Sequence, residues 1–80
     1  MDNEAKLVDC FATALGIEKH LINDNLTYNT IINWSSVSHM SLITELEEQF
    51  QIMLEPEDII GLNSLKKARE ILAKNGIVFP

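Results

Sequence analysis

Apolar side chains recur at helical spacing in residues 3–15 and again in residues 36–50. An apolar side chain at every third or fourth position forms one stripe along a helix, so both stretches predict amphipathic helices. Asp2 or Asn3 is suited to cap the first helix, and Ser35 is suited to cap the second. The apolar stripe of the second helix consists of Val37, Met40, Ile43, Leu46 and Phe50.

The rest of the chain carries two further helix signals. Residues 56–61 begin with proline and end with glycine, which predicts a short helix with Ile59 and Ile60 on its apolar face. A longer helix follows, with Asn63 or Ser64 as its N-cap. Its apolar stripe consists of Leu65, Ala68, Ile71 and Leu72.

Residues 17–34 connect the first two long helices and are rich in Asn and Thr. A connection of this length is uncommon in a compact domain unless its own side chains pack onto the core. We therefore expect a crossover loop held down by its apolar residues, which are Leu21, Ile22, Leu26, Tyr28, Ile31, Ile32 and Trp34.

No stretch alternates apolar and polar residues as a half-buried strand does. The pattern predicts an all-α fold in a single domain over residues 1–80. Its architecture would be a small four-helix bundle with a long crossover loop after the first helix and a short third helix.

The charge of the chain narrows the classes of partner. The net charge is −6, and no Lys or Arg occurs between Lys19 and Lys66. Nucleic acids and anionic membranes need a basic surface, so neither is expected as a partner. The acidic middle segment favours basic protein partners, whose association it would accelerate. Its acidic residues are Asp24, Glu45, Glu47, Glu48, Glu55, Glu57 and Asp58.

Cysteine content and hydropathy bear on where the protein works. Cys10 is the only cysteine, so no internal disulfide can form, and we expect its side chain to be a small apolar filler. No apolar run is long enough to span a membrane, and the acidic N-terminus lacks the pattern of a signal peptide. These features predict a cytoplasmic protein, which we expect to be a monomer.

Catalytic and metal-binding patterns are absent from the sequence. Neither His20 nor His39 has a second His or a Cys three or four residues away, so no metal site is expected. A triad could pair Ser36 or Ser38 with His39 and an acid, but sequence neighbours on a helix point in different directions, and no GxSxG motif occurs. The sequence therefore argues against an enzyme, and a small hydrolase that uses His39 is the least favoured alternative.

The serines at the start of the second predicted helix suggest a different chemistry. With Ser35 as the cap, Ser36 lies in the first helical turn, where backbone N–H groups lack partners and the helix dipole is positive. An anionic group joined to Ser36 through a phosphodiester would be stabilised there, and another enzyme could perform the transfer.

The stretch WSSVSHMSLITELEEQF, residues 34–50, resembles the attachment helix of acyl carrier proteins, in which an Asp-Ser-Leu motif begins an apolar and acidic helix. The resemblance departs at the aspartate, which is Ser35 here, and at the leucine, which is Val37. Trp34 and the His39-Met40 pair match a variant found in some discrete carriers. The likeness covers nearly the whole chain, through Leu15-Gly16-Ile17, Tyr28, Pro56-Glu57-Asp58 and Leu62-Asn63-Ser64-Leu65.

This resemblance implies a discrete acyl carrier protein without catalysis of its own. It implies phosphopantetheine from coenzyme A on Ser36, with acyl groups held as thioesters on the thiol for fatty acid or polyketide biosynthesis. The implied partners are a phosphopantetheinyl transferase and acyl-loading and acyl-processing enzymes with basic docking patches. The implied partner-facing residues are Val37, Met40, Thr44, Glu47 and Glu48.

One alternative remains open at this point: a carrier-like helical interaction module that is not phosphopantetheinylated. Such a module would bind basic protein partners, more weakly as salt rises and without any need for Ser36. Its binding residues would be Glu45, Glu47, Glu48, Glu57 and Asp58.

Overall fold

The computed structural model describes residues 2–79 and contains the four predicted helices. Among these residues no β-sheet forms, and only an isolated bridge joins Thr27 to Ser64. A turn of 3₁₀ helix over Lys19–Leu21, which the hydrophobic pattern does not predict, lies in the crossover. The all-α fold with a short third helix is therefore confirmed. The helices are α1 over Asn3–Leu15, α2 over Ser36–Phe50, α3 over Pro56–Gly61 and α4 over Leu65–Lys74.

Both ends of α1 are fixed by local caps. Asp2 lies just outside the helix, and its carboxylate accepts the backbone N–H of Ala5 at 2.7 Å. Gly16 ends the helix with a φ of 66°, and its N–H donates to the carbonyl of Ala12. Side chains with a β-carbon are strained at this φ, so glycine is the residue suited to stop the helix here.

The core lies where the apolar stripes of α1, α2 and α4 meet. All four residues of the predicted α4 stripe are buried, and Cys10 is buried as the expected filler. Ser64, rather than Asn63, caps α4 by accepting the N–H of Lys67 at 2.9 Å. The buried apolar residues are Leu7, Cys10, Phe11, Leu15, Ile22, Leu26, Trp34, Leu42, Ile43, Leu46, Phe50, Leu54, Leu62, Leu65, Ala68, Ile71 and Leu72.

The crossover loop is tied to the start of α4 through its backbone. The N–H of Tyr28 donates to the carbonyl of Asn63 at 2.8 Å, and the N–H of Leu65 donates to the carbonyl of Leu26 at 3.2 Å. Ile22, Leu26 and Trp34 point into the core, as predicted. These contacts hold the loop across the bundle and place Trp34 directly before α2.

Several apolar residues that the sequence places in the core lie on the surface instead. Leu21, Tyr28 and Ile32 of the crossover are exposed, Ile32 to 94%. An irregular segment has no fixed period, so its apolar residues do not reveal which side chains turn inward. Ile60 is also exposed, because α3 has less than two turns and its inward side is occupied by Asp58.

Candidate attachment site

Two serines cap the start of α2 reciprocally. The hydroxyl of Ser35 accepts the N–H of Ser38 at 3.3 Å, and the hydroxyl of Ser38 accepts the N–H of Ser35 at 2.7 Å. The Ser38 hydroxyl also donates to the carbonyl of Asn33 at 2.6 Å. This capping box satisfies two backbone donors that the helix itself cannot pair. The predicted cap at Ser35 is confirmed, and the hydroxyls of both serines are engaged in holding the helix start.

Ser36, between these two, is the first residue of α2, and its side chain is exposed. None of the capping hydrogen bonds uses its hydroxyl. A phosphate joined to this oxygen would lie at the positive end of a 15-residue helix, where negative charge is stabilised. Ser36 therefore fits a phosphodiester-linked group both by access and by electrostatics.

An aromatic cluster lies behind Ser36, and nothing in the sequence pattern predicts it. The buried indole of Trp34 donates from Nε1 to Nδ1 of His39 at 3.0 Å. Nε2 of His39 then carries the ring proton and donates to the carbonyl of Ile59 at 2.8 Å. The rings of Trp34 and His39 stack with centroids 6.1 Å apart, and Tyr28 packs edge-on against both. His39 thus joins α2 to the crossover and to α3.

These bonds also bear on the hydrolase alternative. Both nitrogens of His39 are engaged, by Trp34 and by Ile59, so neither is free to take a proton from a serine. The arrangement gives that alternative no support. In the part of the chain that the structure describes, no three His, Cys, Asp or Glu side chains come together as metal ligands.

A cavity of about 370 Å³ opens beside Ser36. Helix α2 forms one wall through Ser36, His39 and Met40, and the opposite wall comes from α3 and the residues that follow it. Most of its surface is apolar. The exposed serine that stays outside the capping network therefore lines a mainly apolar cavity.

Three of the implied partner-facing residues are exposed near Ser36. Val37 is 79% exposed, and Met40 is 53% exposed one helical turn beyond Ser36. Thr44 is exposed a further turn along, and its hydroxyl donates to the carbonyl of Met40 at 3.1 Å. The surface closest to the candidate site is therefore largely uncharged.

The two implied acidic contacts have unequal surroundings. Glu48 is exposed, whereas Glu47 is half-buried. The carboxylate of Glu47 accepts the backbone N–H of Leu54 at 2.9 Å. Glu47 therefore supports the link after α2 as well as carrying a charge near the surface.

The acidic surface is smaller than the sequence suggests. Asp58 is only 5% exposed, and Nζ of Lys74 donates a hydrogen bond to its carboxylate. This hydrogen bond raises the pKa of Lys74 above its ordinary value. The expectation that Asp58 provides a surface charge for basic partners is wrong, because the carboxylate is buried and already paired.

Comparison with known proteins shows the family of the chain. The sequence model of the phosphopantetheine attachment site matches residues 5–71. The chain therefore belongs to the acyl carrier protein family, whose members carry phosphopantetheine as a covalent prosthetic group. It is 29% identical to the acyl carrier protein of Syntrophobacter fumaroxidans (strain DSM 10017 / MPOB) over 72 aligned residues. The aligned region covers 90% of this chain and 89% of the relative.

No solved structure matched the chain significantly. Within residues 2–79, no helix combines the length and the apolar character needed to cross a membrane.

Proposed function

We propose that this protein is an acyl carrier that holds acyl groups as thioesters on a phosphopantetheine arm at Ser36. The observation that carries the proposal is that the three serines at the start of α2 differ in their hydrogen bonds. Ser35 and Ser38 cap the helix, while the side chain of Ser36 is exposed and lies outside the capping network. Transfer would join Oγ of Ser36 to the phosphorus of the phosphopantetheine part of coenzyme A. Adenosine 3′,5′-bisphosphate would leave, and a base of the transferase would take the hydroxyl proton.

The residue before Ser36 lacks the negative charge of the family aspartate. Ser35 still provides the cap, because its hydroxyl accepts the same kind of backbone hydrogen bond that an aspartate accepts. We propose that the phosphopantetheinyl transferase recognises this helix start through Val37 and Met40, whose exposed apolar side chains follow Ser36 within the next helical turn.

Acyl-loading and acyl-processing enzymes would dock along the same face of α2. Thr44 and Glu48 extend the exposed surface away from Ser36, and Glu47 adds a partly buried charge. Basic groups on these enzymes would pair with the two glutamates and increase the rate of association. No catalytic group of this chain is needed in either step.

The cavity beside Ser36 is the proposed shelter for the acyl group. Its lining is mainly apolar and its mouth lies at the attachment point, so a hydrocarbon chain bound there would be removed from water. Partner enzymes would draw the chain out when they bind.

The test is to incubate the unmodified protein with an acyl-coenzyme A and a broad-specificity transferase, and then to measure intact mass. We expect the gain of one acyl-phosphopantetheine, and treatment with hydroxylamine should remove the acyl group alone. Ser36→Ala should gain nothing, whereas Ser41→Ala, at another exposed serine of α2, should be loaded like the parent protein. No gain with several transferases, or an equal gain in Ser36→Ala, would contradict the proposal.

A further inference from the structure

We propose that His39 closes the inner end of the cavity beside Ser36 and thereby limits the acyl groups that the protein can shelter to short chains. This inference rests on the proposed function, since it concerns cargo attached at Ser36. It follows from the exposure of the residues that line the cavity, from the packing behind His39 and from the hydrogen bonds that hold the ring in place.

The exposure of the lining residues shows which end of the cavity is its floor. Met40 and Ile60 are 53% and 83% exposed and lie at the mouth. Leu62 is 1% exposed, and His39 and Ile59 are partly buried. The innermost part of the lining is therefore formed by His39, Ile59 and Leu62, and the exposed Tyr28 and Asn63 complete the rim.

The space behind His39 is filled. Trp34 stacks on the inner side of the His39 ring with an interplanar angle of 23°, and Trp34 is itself buried. Phe11, from α1, packs edge-on against Trp34 with ring centroids 5.4 Å apart. A chain that reaches His39 therefore meets two layers of aromatic rings and not a channel into the bundle.

Two hydrogen bonds keep His39 from swinging aside. Rotation of the ring would break the bond from Nε2 to the Ile59 carbonyl and the bond that Nδ1 accepts from Trp34. The indole N–H of buried Trp34 would then lack a partner, which is unfavourable in a dry environment. The ring is therefore a fixed floor, in contrast to the flexible side chain of Met40 at the mouth.

The volume of the cavity limits the length of the acyl chain that it can enclose. A water molecule occupies about 30 Å³ of liquid, so a cavity of about 370 Å³ holds on the order of a dozen non-hydrogen atoms. The thioester end of the arm uses part of that space. Chains longer than this limit must leave their ends in solvent, and their thioesters should be correspondingly less protected.

The experiment measures thioester protection against chain length. The protein is loaded from acyl-coenzymes A of roughly four to sixteen carbons, a range that brackets the estimated capacity. The rate of cleavage by hydroxylamine is then followed by intact mass. In the parent protein we expect protection to increase up to a limiting length and to increase no further beyond it. In His39→Ala the limit should move to chains longer by about two carbons, the room that removal of the ring provides.

Matched variants distinguish the effect of the cavity floor on the limiting chain length from the effects of the rim and of the two hydrogen bonds. Ile60→Ala widens the mouth from α3 and should leave the limiting length unchanged. His39→Leu keeps bulk at the floor but loses both hydrogen bonds that fix it, so its limit should lie between those of the parent protein and of His39→Ala. Should His39→Ala fail to fold, as judged by circular dichroism, Ile59→Ala opens the same floor from α3 and should extend the limit.

The possible results distinguish a failure of this inference from a failure of the proposed function. A protein that is loaded but shows the same limit before and after the floor is opened would overturn the inference and leave the carrier function standing. So would a parent protein that protects the longest chains fully, or a His39→Leu limit that moves as far as that of His39→Ala. Failure of any loading at Ser36 would instead contradict the proposed function itself.

Discussion

At the scale of single residues, hydrogen bonding gives different roles to Ser35, Ser36 and Ser38, although all three are serines. All three are serines within one turn of α2, yet two hydroxyls hold the helix start and one faces solvent. The sequence could suggest Ser35 as a cap, because a serine before an apolar stripe is a common helix start. It could not show that Ser38 completes the cap, since that depends on the side-chain rotamer.

The first prediction follows from these bonds. Ser35→Ala should lower the free energy of unfolding by about 1 kcal/mol, because a backbone N–H loses its side-chain acceptor. Ser36→Ala should change it by less than about 0.5 kcal/mol, since its side chain is exposed. Urea denaturation of the two variants measures both effects. Equal destabilisation would contradict the division of roles.

Cys10 provides a second prediction at the residue scale. Burial, with a smaller effect of the nearby Glu45 carboxylate, raises the pKa of the Cys10 thiol from 9.0 to about 12. We expect iodoacetamide at pH 8 to leave Cys10 unmodified in the folded protein and to alkylate it after denaturation. Transfer of phosphopantetheine should then add one reactive thiol to the folded protein. Rapid alkylation of the folded, unmodified protein would be the contrary result.

The same pKa shift predicts how stability depends on alkaline pH. A raised pKa in the folded state means that the folded protein holds this proton more tightly than the unfolded chain. The stabilisation of the folded state that results is fully present below pH 9.0 and is lost as the pH rises towards about 12. Cys10→Ala should therefore lose less stability over this range than the parent protein, as measured by denaturant midpoints.

At the scale of the elements, the C-terminus of α2 is the least favourable helix end. Gln51 ends this helix with a φ of 53°, the only non-glycine residue with a positive φ among those described. Left-handed backbone is costly for a residue with a β-carbon. The half-buried Glu47, which accepts the N–H of Leu54, holds the chain in this conformation.

Replacing Gln51 should relieve this cost. We expect Gln51→Gly to raise the free energy of unfolding by about 0.5–1 kcal/mol, since the relief of strain exceeds the added entropy of the unfolded chain. Gln49→Gly, placed inside the last turn of α2, should instead lower it by a similar amount. Chemical denaturation compares the two. A loss of stability in both variants would contradict the assignment of strain to Gln51.

The elements differ in how far the sequence predicts them. The bounds of α1 and α3 follow from local signals such as Asp2, Gly16 and Pro56, and the structure has them at the predicted positions. The crossover depends on tertiary contacts, so apolarity alone could not separate buried Trp34 from exposed Ile32. The link between Trp34, His39 and α3 is beyond sequence reasoning for the same reason.

At the scale of the whole molecule, one side chain connects three separate segments. Arg69 of α4 makes a two-point ion pair with Glu4 of α1, at 2.9 and 3.0 Å, and a third bond to Asp24 of the crossover at 3.1 Å. Its hydrogen bond to Glu4 is the main cause of a raised pKa for Arg69. This network joins the two ends of the chain to the loop that leads towards the attachment site.

Removing this network should have a moderate effect. Arg69→Met is expected to lower the free energy of unfolding by about 1 kcal/mol. The effect is no larger because the paired side chains are partly exposed and solvent weakens the ion pairs. Lys66→Met, at an exposed position of the same helix, should have little effect. The difference between the two variants should shrink in concentrated salt, which screens the ion pairs. A difference that does not respond to salt would assign the effect of Arg69 to packing alone.

The site of attachment is the central claim, and one measurement addresses it most directly. Cleavage of the phosphopantetheinylated protein after Glu18 and Glu45 yields a peptide of residues 19–45 that contains Ser35, Ser36, Ser38 and Ser41. Fragmentation of this peptide by electron transfer, which retains the modification, assigns the residue that carries the group. We predict phosphopantetheine on Ser36 and on no other serine. Its assignment to Ser35, Ser38 or Ser41 would contradict this account of the site.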